Sequence, residues 1–314
     1  MHYPYAIPTL LCVLLAALAS SCATTSESRA PRDTPPPDAR AMPAFDARSG
    51  EPISWPDLLA RAAAADIVIL GEQHGNPAAH AFEAALAAAL LESGPRAICL
   101  EMLERDEQPL LDAYLTDAIS KETFVDITDS RDWAGKDSWD ACYQPLLDTA
   151  RKHAAPVIAA NAPRRLVRLA RLEGFPALQA LQDAYPAQAV LPAEIEETSY
   201  QKRFRETMQH HAAPGADPEA AETRLDALFR AQQVWDATMA HSTLQAAGNH
   251  GHALLVVGQF HTDFDGGLLL RMKAAEPDRR YLTISLQPAE ASALRPEDEQ
   301  RADIVVYAAP AAKA

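Results

Sequence analysis

Positive charge is scarce in this chain of 314 residues: 28 Lys and Arg stand against 43 Asp and Glu, for a formal net charge of -15. The basic residues are scattered, with no stripe to neutralise a phosphate backbone, which excludes nucleic acid as a partner. Cysteine is nearly absent as well. Of four, Cys12 and Cys22 belong to an apolar leader, so only Cys99 and Cys142 remain for the body and a disulfide framework is excluded. Spacing alone leaves a single Cys99–Cys142 bridge open, although Cys99 lies in an apolar run where a free thiol packs as a small hydrophobe. There is no internal repeat of fixed period. Beyond the leader, no segment is both long and apolar enough to cross a bilayer.

The leader is an apolar core, Ile7 to Ala19, ending in Ser20-Ser21-Cys22. It is too short to span a membrane comfortably and has small residues before a cysteine, which predicts an export signal over residues 1–21 with Cys22 as the lipidated residue. Two features depart from that pattern: the first residues lack Lys and Arg, and Ala19 stands where Leu is usual. An ordinary cleaved signal peptide is the alternative. Residues 22–44 are rich in Pro, Ser and Thr and cannot bury apolar surface, so they read as a disordered tether holding a body, 45–314, off a membrane in the cell envelope.

With 48% hydrophobic residues the body has ample material for a core. Short β-branched apolar runs at Asp66–Leu70, Ala97–Leu100, Pro156–Ala160, Ala253–Val257, Tyr281–Leu286 and Ile304–Ala308 read as buried strands. Helical patterns such as Ala78–Leu91 lie between them, which predicts an α/β fold with a mainly parallel sheet and helical crossovers. From about 165 to 247 strand signals vanish. That stretch, broken by several prolines, reads as a helical insertion lying over a sheet edge as a lid.

Four polar clusters each follow the carboxyl end of a predicted strand: Gly71-Glu72-Gln73-His74, Glu101-Met102, Asn161-Ala162-Pro163-Arg164 and Gly258-Gln259-Phe260-His261. In an open parallel sheet those ends share one edge, where ligands bind. The two Gly-x-x-His motifs therefore predict a pocket walled by Glu72, His74, Glu101 and His261. Two imidazoles and a carboxylate, His74, His261 and Glu101, suit a divalent ion such as zinc, or orient water for general-base work. A single Gly-x-x-His is weak evidence, since a histidine at a strand end is often only a turn residue. A Glu101–Arg164 ion pair is the purely structural alternative for that acid. His80, six residues beyond His74, reads as a surface or supporting residue. The pairs His210-His211 and His250/His252 lack converging carboxylates and read as exposed. Trp133, Trp139 and Tyr143 form either core packing or the wall of a flat ligand site.

The segments Ile67–Asn76, Cys99–Met102, Ile158–Arg164 and Val256–His261 together resemble the ChaN-like haem-binding lipoprotein family of the Tiki superfamily, over about Trp55 to Tyr307. The resemblance implies haem or iron uptake by a homodimer that sandwiches haem, with a tyrosine on the iron and a histidine or lysine on the propionates. It makes Tyr143 and Tyr200 the candidate axial ligands, with His74, His261 or Lys202 as further haem contacts. No Cys-x-x-Cys-His for covalent haem attachment is present. The same superfamily holds metalloproteases and is similar to erythromycin-esterase-like hydrolases, which implies the alternative of a metal-dependent hydrolase with Glu72 or Glu101 as base. A third reading is a lipoprotein whose lid helices dock a protein partner.

Overall fold

The computed structural model describes residues 38–184, 188–209 and 217–309. The expected leader and Cys22 lie outside the described residues, as do His210 and His211. Seven strands form one sheet: β1 (Ala44–Asp46), β2 (Ile67–Glu72), β3 (Ala97–Glu104), β4 (Val157–Asn161), β5 (Ala253–Gly258), β6 (Tyr281–Gln287) and β7 (Ile304–Tyr307). Their order is β1-β7-β6-β2-β5-β3-β4, and all neighbours are parallel except β1 with β7. The helices in chain order are α1 (Trp55–Ala64), α2 (Pro77–Ser93), α3 (Gln108–Leu115), α4 (Lys121–Ile127), α5 (Trp139–Cys142), α6 (Gln144–Lys152), α7 (Arg164–Glu173), α8 (Phe175–Ala184), α9 (Thr198–Gln209), α10 (Pro218–His250) and α11 (Gly267–Ala275). None of them is long and apolar enough to cross a membrane.

All six expected strands are present, and the α/β class stands. Continuous apolar runs work here because helices cover both faces, so each side of the strand is buried. Val68, Leu70, Ile98, Leu100, Leu254 and Val256 face the layer made by α1 to α6. Ile67, Ile69, Cys99, Leu255 and Val257 face α10 and α11. The alternation also settles the cysteines: Cys99 lies in the α10 layer and Cys142 in the opposite one, both free and buried, so the sheet separates them.

Three expectations are corrected. Residues 38–44 are not all tether, because a short turn of helix over Ala39–Ala41 leads into β1, Met42 packs on the core, and Arg40 lies over the Trp55 ring. The segment 165–247 is not a lid on an edge. Its long helix α10 is the crossover from β4 back to β5 and packs against β3, β4 and β5, burying one face of the sheet. Pro218, which reads as a break, occupies the first turn of α10, where its missing N–H costs nothing, behind the Asp217 cap. Finally β3 runs on to Glu104, so Glu101 sits within the strand rather than beyond it.

The open edge at β4 is closed by a side chain. The Gln108 amide donates to Val157 O (2.9 Å) and its oxygen accepts from Ala159 N (2.8 Å), imitating one residue of a further strand. Gln108→Leu is expected to cost about 1–3 kcal/mol in urea unfolding, because two part-buried backbone groups lose their partner; an unchanged midpoint would mean that water replaces the amide freely.

Candidate functional site at the carboxyl ends of β2, β5 and β3

Register places the site. Glu72 pairs with Gly258, and Leu100 with Val256, so the carboxyl ends of β2, β5 and β3 lie side by side. Parity sends the two acids to opposite faces. Glu72 follows Val68 and Leu70 into the α2 layer, whereas Glu101 follows Ala97 and Cys99 into the α10 layer. Between them β5 offers Gly258. A Cβ there would stand 3.1 Å from His74 Nε2 and 3.4 Å from a Glu101 oxygen, so glycine is what lets the imidazole and the acid approach each other across the strand end.

On the α2 side, His74 Nδ1 lies 3.0 Å from Glu72 Oε1, which also accepts the Tyr143 hydroxyl at 3.1 Å. The other Glu72 oxygen lies 3.3 Å from His80 Nε2, and His80 Nδ1 meets Glu83 at 2.9 Å. Burial pulls His80 towards the neutral form, but the flanking acids Glu83 and Glu72 prevail and raise its pKa. Glu83 is raised by its own burial and by Glu72. For His74, burial is outweighed by Glu72 and Glu101, and its pKa also rises.

On the α10 side, His261 is held at both ring nitrogens: Nδ1 against Asp236 (2.5 Å) and Nε2 against Glu101 (3.4 Å). The Gly258 N–H donates to the other Glu101 oxygen, and Gln232 donates to the Tyr200 hydroxyl at 2.9 Å. Burial disfavours charge on both partners, yet the two acids lift His261 to about 10, and His261 holds Glu101 at about 2. His261 thus sits between two carboxylates, which favour its charged form.

Several assignments change in consequence. Arg164 does not pair with Glu101; it reaches Glu104 (3.5 Å) and lies over the Trp133 ring, 4.9 Å from its centroid. Among the described residues the zinc set His74, Glu101 and His261 is not gathered into one ligand group, whereas Glu72, His80 and Glu83 are. His80 is buried in the network rather than on the surface. Tyr143 and Tyr200 are both fully buried, with hydroxyls spent on Glu72 and on Gln232 and Asp236; burial and those acids push both phenols up, away from the phenolate that suits ferric iron. Lys202 is exposed and, among the described residues, pairs with Glu206 at 3.9 Å. Trp139 and Tyr143 are core residues, whereas Trp133 lies half-buried beside His74, ring centroids 6.2 Å apart.

Sequence reasoning missed Asp236, Gln232 and Glu83. Each carried a signal: Gln232 and Asp236 are polar residues four apart on a helix face that continues with Met239 and Ala240, and Glu83 follows His80 by three.

A family model described as haem-binding uptake, Tiki superfamily, ChaN, matches residues 58–272. The chain belongs to that family. Among solved structures it is similar to ChaN of Campylobacter jejuni, described with cofacial haem binding, at 20% identity and a TM-score of 0.62, covering 84% of this chain and 96% of that one. The type III effector HopBA1 matches at 15% identity and TM-score 0.44, covering 81% and 92%. An erythromycin esterase mutant in its open conformation matches at 14% and 0.41, covering 86% and 83%. No curated protein matches. The Campylobacter likeness shows the ChaN-like fold, and the two weaker ones carry nothing about chemistry.

The charge pattern of this ChaN-family site has a pH signature. His261, raised above its unfolded value of 6.5, contributes stability that is complete below that value and lost as pH climbs through about 10. Glu101, lowered from 4.5, contributes stability that is lost as pH falls through about 2. Denaturant unfolding is expected to weaken steadily between about pH 7 and pH 10, and His261→Gln to reduce that slope while leaving the share of His80 and His74; the same slope in the variant would sink the charged form of His261.

Proposed function

We propose that this chain binds haem as cargo at the carboxyl-end rim of its sheet, and that the mature protein is a lipid-anchored haem-uptake component of the cell envelope working as a homodimer. Membership of the family over residues 58–272 carries the haem reading. The anchor and the location rest on the leader, Cys22 and the Pro-rich stretch after it, and the dimer on the resemblance alone.

Three rim residues fit a flat, iron-bearing dianion. His74 is the one member of the two buried networks whose side chain stays substantially exposed, at 40%, and its Nε2 bonds no described residue. Trp133 supplies an aromatic wall beside it. Arg164, half-exposed over that ring, is the cation in place for a propionate. Bound haem supplies the iron chemistry. The chain's own part is to offer His74, held by Glu72 at Nδ1 and with its Nε2 beside Gly258, and to cover an apolar macrocycle. Of the five described tyrosines, Tyr114, Tyr143, Tyr200, Tyr281 and Tyr307, none presents an exposed hydroxyl to this rim.

Titrating ferric haem into the body is expected to give a saturable Soret band. His74→Ala should shift that band, and Arg164→Ala should weaken binding roughly 10–100-fold without shifting it, the loss of one charge-assisted contact. No saturable band would overturn haem binding; an unchanged band and affinity in His74→Ala would move the site away from this rim.

A further inference from the structure

The described residues place two fully buried carboxylates, Glu72 and Glu83, around a single buried imidazole, His80. No Lys or Arg pairs with either acid among the described residues; their ionic partners are His74 and His80 alone. Glutamate is almost never fully buried without compensation, because the desolvation cost of a charge exceeds most single contacts. Compensation here is thin: Glu83 meets only His80 among the described residues, and Glu72 shares that same imidazole with the part-exposed His74. Glu72 Oε2, His80 Nε2 and Glu83 Oε1 are all buried, and each lacks a hydrogen bond.

We propose that Glu72, His80 and Glu83 bind one divalent first-row transition-metal ion beneath the rim. One ligand atom from each of the three lies within 4.8 Å of the others. The 3.3 Å between His80 Nε2 and Glu72 matches the spacing of neighbouring ligand atoms on one ion, roughly 3.0–3.4 Å for bonds of about 2.1 Å, while His80 Nδ1 stays 2.9 Å from Glu83. His80 gives one ring nitrogen to the ion and keeps the other on a carboxylate, the contact that fixes the tautomer of a metal-bound histidine. A divalent ion cancels both carboxylates and leaves the imidazole neutral. Two carboxylates with an imidazole favour zinc, cobalt or manganese over magnesium or calcium, which prefer oxygen donors throughout. The Cys142 thiol, within hydrogen-bonding reach of His80, adds a soft donor next to the ligands.

The site differs from one built on His74, Glu101 and His261, and it does not depend on haem being the cargo. It gives Glu72 two duties: one oxygen fixes His74 at the rim while the other holds the ion below.

The test is metal uptake by the whole body, stripped with chelator and dialysed, using zinc and cobalt(II) as probes. Expected are one equivalent of zinc retained through dialysis, a rise in the unfolding temperature on zinc addition, and visible d–d bands on cobalt loading. Glu83→Gln, nearly isosteric, should weaken uptake at least tenfold while far-UV circular dichroism shows it folded. The double variant His210→Ala/His211→Ala should leave uptake unchanged, which separates this site from adventitious binding by adjacent histidines. A folded wild type that takes up neither metal at stoichiometric concentration would overturn the proposal and leave the acids balanced by protons. Full uptake in folded Glu83→Gln would overturn it equally.

Discussion

Glu72 and Glu101 are buried at the ends of strands that share one neighbour, and a buried carboxylate must find charge or protons close by. The surrounding structure answers that demand on both faces of the sheet. On one face α2 brings His80, and α6 with the turn before it brings Tyr143. On the other, α10 brings Asp236 and Gln232 to hold His261, which returns the interaction to Glu101. Gly258 keeps the space between the two acids open, so the networks approach each other at the strand end without merging.

The two histidines of the paired Gly-x-x-His motifs therefore have different natures despite equivalent positions. His74 turns back over the α2 side and keeps part of its ring in solvent. His261 drops into the α10 side and is locked between acids. Sequence symmetry suggested two equal ligands, but the local motif does not know which face the next helix covers, and that decides exposure.

Much of the fold was legible because parallel strands buried on both sides are written as unbroken apolar runs, and all six such runs became strands. The convergence of Glu72, Glu101, Asn161 and His261 was legible for the same reason: topology brings strand ends to one edge. β1 was not, since Ala44–Asp46 is three residues long and follows proline-rich chain. Nor was the role of 165–247, where abundant charge and proline masked a long helix buried on several sides, against the sheet, α7 and α11. Pairings such as Glu101 with His261, rather than with Arg164, depend on strand parity together with helix rotation, and neither can be read from spacing alone.

The strand order carries a consequence for how the molecule comes into being. β5 is the middle member of the site, yet it follows α10 in the chain and slots between strands made long before it. Until it arrives, β2 and β3 have no common neighbour, and two apolar edges stay open to mispairing. Completion is late and nearly all-or-none: a chain cut short before Ala253 retains Glu72, His74 and Glu101 but has no architecture to bring them together. Such a topology, rich in distant contacts, folds slowly.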